Sequence, residues 1–135
     1  VEAQLRDAGI DAREKIVPGA EFWQNWQRYP FSATEWNMRP LGVQVLALAY
    51  SSDGVWNETG FANPRFDALL ARAMGLADAD ERREIMAQLQ AILQQDAVLI
   101  QPFWRRLYRH AAPRVRGAEM HPTFEHHHYK WWIDA

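Results

Sequence analysis

Apolar positions along the chain recur mostly at helical spacing, and the clearest cases lie in its middle third. Asn63 is a good N-cap and Pro64 suits a first turn, after which Phe66, Leu69, Leu70 and Ala73 form one apolar stripe. A second helix begins near Asp78, with Glu81 three residues on as an approximate capping box. It carries Ile85, Met86, Leu89, Ile92 and Leu93 on one face. A short helix is expected over 41–50, with Val43, Leu46, Ala47 and Tyr50 on one side, although its valines leave a strand open. Upstream, Ala20, Phe22, Trp23 and Trp26 recur near helical spacing through Tyr29, and Pro30 stops that helix. The opening residues read as the last turns of another helix, closed by Gly9, whose tolerance of the left-handed conformation makes it a good terminator. A helix that starts without a cap at a residue other than Met suggests a fragment or a processed product.

Between these helices the pattern shortens. Ile10, Ala12 and Ile16 fit an imperfect half-buried strand over 10–17, and a second is expected over 31–37, giving a strand, helix, strand unit. The apolar run 97–104 suits a buried strand, with Pro102 confining it to an edge or an end, and 107–111 is a pairing partner for it. Residues 51–62 form a polar, glycine-containing loop near the length at which unstructured loops tend to be functional. Beyond Pro113 the tail is irregular and aromatic. The fold class expected is α/β, with a mixed sheet and packed helices.

Composition narrows the function. The 135 residues suit one domain with one core, and 48% hydrophobic content with 24% charged residues is ordinarily globular. Fifteen basic against 17 acidic residues leave a net charge of -2, which offers no bulk attraction to nucleic acid or anionic lipid. The absence of cysteine removes disulfides, thiolate metal sites and a cysteine nucleophile. No G-x-S-x-G elbow or H-E-x-x-H helix is present, and no cofactor or enzymatic activity is expected. Asp67 and Asp96 read as helix-terminal or loop charges. The stretch Trp104-Arg105-Arg106-Leu107-Tyr108-Arg109-His110 alternates aromatics and cations as single-strand binders do, but with a net charge of -2 and no glycine-rich phosphate loop the favoured reading is a sheet-edge strand with a charged outer face.

The run from Trp56 through Asn63-Pro64-Arg65-Phe66-Asp67-Ala68-Leu69-Leu70 resembles the N-P-x-F-D-x-L-L segment of the family 5 extracellular solute-binding proteins of ABC transporters, the dipeptide and oligopeptide type. Its neighbours follow in matching order. Gln4 to Ile10 resembles a helix ending in G-I before a strand, and Ala79 to Arg83 opens a similar helix. Asp96 to Trp104 is similar to the family's aspartate, apolar strand and proline. The resemblance implies one lobe, the C-terminal one, of a two-lobed periplasmic-binding-protein fold of type II-like form, closing on its ligand by hinge motion. It further implies ligand capture for an ABC importer, with a transporter permease as partner and a periplasmic or otherwise extracytoplasmic, membrane-associated setting. The ligand would be a peptide or another small solute, and opines, metal chelates and sugars stay open. Because the cleft would be completed by another lobe, isolated binding should be weak. A lobe without its partner could also self-associate through exposed apolar surface.

In the family, the stretch matching Trp36-Asn37-Met38-Arg39 faces the cleft, and the loop carrying Trp56 and Asn57 lies nearby. Trp36 would cover an apolar ligand group, Asn37 would pair with peptide amides and Arg39 would clamp a carboxylate. For both tryptophans ordinary packing is the competing explanation, and for Arg39 a solvated surface position. Many peptide-binding members place an acid near this tryptophan to receive the ligand's amino terminus, and residues 36–41 contain none.

The alternative function is a small metal-binding or protein-interaction domain using the C-terminal His cluster, His126, His127 and His128 with His121. Successive side chains on an extended segment point to opposite sides, so the triplet places at most two together, and His121 and Glu125 would have to fold back. Loss of metal-dependent stabilisation on His126→Ala and His128→Ala would favour it.

Overall fold

Helix α1, Glu2–Asp7, ends as its glycine predicts. Gly9 has φ +81°, its amide donates to Arg6 O, and the Ile10 amide donates to Leu5 O, the paired bonds that close a left-handed helix terminus. Helix α2, Gly19–Asn25, runs on as a 3-10 turn over Trp26–Arg28, and Phe22 stacks on Tyr29 with ring centroids 5.7 Å apart. The computed structural model describes residues 1–134 and divides the chain into two compact units, Val1–Ser32 and Ala33–Ala135. Neither α1 nor α2 buries a residue fully, so the fully buried core belongs to the second unit.

That core is built by α3 (Gly42–Ala49), α4 (Pro64–Gly75) and α5 (Ala79–Gln95). Val43 and Leu46 of α3 meet Phe66, Leu70 and Ala73 of α4 and Ile85, Leu89, Ile92 and Leu93 of α5. Leu69, Ala47, Tyr50 and Met86 pack partly buried around them, so the expected stripes are the ones that face inward. Asn63 Oδ1 accepts from the amides of Arg65 and Phe66, and Asp78 Oδ1 accepts from those of Asp80 and Glu81. Each cap satisfies amides that have no partner within the helix, a contribution of about 1 kcal/mol apiece. Asn63 Nδ2 also donates to Asp96 Oδ2 at 3.2 Å, tying the start of α4 to the end of α5.

The strands differ from expectation. Segments 10–17, 31–37, 97–104 and 107–111 form no strand, and neither the strand, helix, strand unit nor the mixed sheet is present among the described residues. The sheet instead is a two-stranded antiparallel ribbon, β1 (Val115–Arg116) with β2 (Trp132–Ile133), inside the tail read as irregular. The protein is thus a small mixed, helix-rich domain with a two-stranded antiparallel sheet. At 97–104 the cause is visible: Ala97, at φ +50°, donates to Gln94 O, and Val98 donates to Leu93 O, so both residues are used to terminate α5. Pro102 then removes a donor, and Ile100, Phe103 and Trp104 are left 70%, 70% and 87% exposed.

Candidate functional site

The loop 51–62 leaves α3 and returns to α4 with its own internal bonding. Ser51 Oγ donates to Ala47 O at 2.7 Å, and the Trp56 amide donates back to Leu48 O at 3.0 Å. Asn57 holds the loop shut: its Nδ2 donates to Ser51 O and Phe61 O, while its Oδ1 accepts from the amide and hydroxyl of Thr59. Both halves of the Asn57 amide are therefore engaged in shaping the loop. Ser52 anchors the loop to α4 through its amide and hydroxyl, which donate to the Asp67 carboxylate at 3.0 and 2.5 Å. An open hollow of about 270 Å³ beside the loop is lined by Ala47, Ser51, Asp53, Asp67, Leu70 and Met74.

This scaffold carries Trp56 to Trp36. The two indoles meet edge to face, centroids 5.8 Å apart, with Trp56 still 42% exposed. Glu58 Oε1 accepts from Trp36 Nε1 at 3.2 Å and from the Thr34 hydroxyl at 2.6 Å. Glu35 next to Thr34 pairs with Arg105. Two segments more than a dozen residues apart thus build one surface of two indoles, a hydroxyl and a carboxylate. Asn37 is exposed, and among the described residues Arg39 makes only long 3.4 Å bonds to the neighbouring carbonyls of Asn37 and Met38, so neither is drawn into the cluster. Glu58 and Thr34 were missed from sequence. The available signal for Glu58 was its place directly after Trp56-Asn57 in a loop of functional length.

Burial, and secondarily the Glu58 carboxylate, raise the Tyr50 phenol above its ordinary pKa. The native state then holds that proton more tightly than the unfolded chain. Its stabilising contribution is complete below the unfolded value of about 10 and is lost as pH rises through the folded one. Thermal unfolding midpoints are expected to fall as pH is raised beyond about 10, less steeply in Tyr50→Phe. An equal decline in both proteins would assign the alkaline sensitivity elsewhere.

The histidines divide into two groups. His126 and His128 turn toward Trp131, with centroids 6.0 and 4.5 Å from it. His127 instead joins His121 and Glu125: His127 Nε2 lies 3.0 Å from Glu125 Oε2, and His121 Nδ1 lies 3.8 Å from Glu125 Oε1. Hydrogen bonds from His127 and Thr123, with the His121 charge, hold the Glu125 carboxyl below its usual range.

Against these features, the chain matches no protein-family model, no curated protein and no solved structure. Among the described residues, no helix is long and apolar enough to cross a membrane.

Proposed function

We propose that the protein captures a peptide or peptide-like solute for an ABC importer, as part of one lobe of a two-lobed, extracytoplasmic binding protein whose partner is the transporter permease. The observation that carries this reading is the meeting of Trp36 with Trp56 beside Glu58. The family resemblance assigns the segment of Trp36 and the loop of Trp56 to one ligand-facing region, and the geometry supports that assignment by bringing them together. Glu58 also supplies, from the loop, the acid that residues 36–41 lack. Two indoles with an adjacent carboxylate suit an ammonium group attached to an apolar body. The exposed run 99–104 supports the lobe, because an apolar segment with no strand partner among the described residues is what a sheet strand becomes when the remaining strands belong to another part of the protein.

With the cleft half built, affinity should lie in the millimolar range or weaker. Trialanine titrated into the ¹⁵N-labelled chain should shift the Trp36 and Trp56 indole N–H resonances, and N-acetylated trialanine should shift them less. Glu58→Gln should abolish that preference for the free amine. Unmoved indoles with both peptides would overturn the assignment of this surface, and enzymatic turnover of either would overturn the transport reading.

A further inference from the structure

The ribbon β1–β2 closes a loop of residues 117–131, and three side chains with metal-binding chemistry meet inside it. We propose that His121, Glu125 and His127 bind a divalent cation of the zinc type. Each offers a ligand atom, and these atoms lie within 4.8 Å of one another. Around a tetrahedral ion with bonds near 2.0 Å, donors stand about 3.3 Å apart, so closure requires only a modest contraction of half-exposed side chains. Two imidazoles and one carboxylate favour zinc, nickel or copper over magnesium or calcium, which prefer all-oxygen sites. Three protein ligands leave a position for water or an outside donor.

The backbone prepares this arrangement. Phe124 adopts φ +61°, uncommon for a residue with a side chain, and its amide donates to His121 O at 2.9 Å, folding His121 back toward Glu125. Arg109 braces the turn, its Nη1 and Nη2 donating to the carbonyls of Glu119 and Glu125 at 2.7 and 3.0 Å. The Thr123 hydroxyl lies 2.8 Å from both His121 Nδ1 and Glu125 Oε1, linking two of the ligands as outer partners of a metal site commonly do. Alternation along the chain puts Glu125 and His127 on one side and sends His126 and His128 to Trp131 on the other. When the cation enters, it takes the place of the hydrogen between His127 Nε2 and Glu125 Oε2, and the coordinated imidazole keeps its one hydrogen on Nδ1.

The test is calorimetric titration of the whole chain with Zn²⁺ alone, with Ca²⁺ as the contrasting ion. Equimolar Zn²⁺ binding is expected, weakened at least about tenfold in His121→Ala and in His127→Ala, and about tenfold in Thr123→Val. His126→Ala and His128→Ala should leave it unchanged. Circular dichroism of α3 to α5 checks that each variant folds, and paramagnetic resonance with Cu²⁺ provides a direct count of ligands. Two coordinated nitrogens in the parent protein, reduced to one by either His121→Ala or His127→Ala, support the site. Absence of Zn²⁺ binding, or losses in His126→Ala and His128→Ala as large as in His121→Ala, would overturn it, the latter in favour of the consecutive triplet.

Discussion

Phe66→Ala is expected to lower the thermal midpoint of the Ala33–Ala135 unit by more than about 10 °C. Phe66 has no exposed surface and sits where α3, α4 and α5 meet, and the Phe61 ring packs edge-on against it at 5.3 Å. Truncation removes the whole ring from the centre of a small core, so the lost burial and the cavity left behind together cost about 3–5 kcal/mol. That is a large share of the roughly 5–15 kcal/mol that holds an ordinary domain together. Met74→Ala, on the same helix at a position 58% exposed, should change stability by no more than about 0.5 kcal/mol. Thermal denaturation followed by far-ultraviolet circular dichroism compares the two. A Phe66→Ala midpoint close to that of Met74→Ala would mean that the three helices collapse into the vacated space.

Gly117→Ala should have the largest effect outside the helical core, and a more local one. Gly117 has φ +71°, and an added Cβ would stand 1.9 Å from Lys130 O. The positive φ alone costs an alanine about 1 kcal/mol or more. The overlap adds to this and no rotamer relieves it, since both sides are backbone. Pairing of Val115 with Ile133 and Arg116 with Trp132 should fail, and with it the bonds from the Asp134 amide to Arg114 O and from Arg116 Nε to Asp134 at 2.7 Å. Hydrogen exchange at the Asp134 amide, which crosses the ribbon to Arg114 O, is expected to accelerate at least tenfold, about 1.4 kcal/mol, while α4 and α5 keep their protection. Gly60→Ala provides the contrast, because Gly60 shares a positive φ of +66° but a Cβ there meets nothing within 4 Å. Unchanged exchange in Gly117→Ala would show that the ribbon tolerates a shift of Lys130. Since the ribbon closes the loop holding His121, Glu125 and His127, the substitution should also weaken Zn²⁺ binding.

Sequence alone determined what the backbone can satisfy within a few residues. The helices and their interruptions are where periodicity put them, with Asn63 and Asp78 as working caps, Gly9 as a working stop, and Phe66, Leu70, Ile85 and Leu89 facing the core. Each helix closes its own hydrogen bonds, so its evidence is local. Tertiary structure decided everything that requires a distant partner. An apolar run such as 97–104 has the composition of a strand, but strands exist only in pairs, and here α5 uses its first residues as a terminator while the remainder stays exposed. The pairing of 115–116 with 132–133 depends on the close approach of Gly117 to Lys130, which no periodicity announces. The candidate sites divide the same way. Trp36 and Trp56 were legible as residue types, but Glu58 joins them only because Asn57 closes the loop. The histidine triplet was legible as a cluster, but a turn at Phe124 and an arginine brace select His127, with His121 and Glu125, over its two neighbours. Helix formation is written in short-range spacing, whereas convergence of side chains depends on the path of the chain between them.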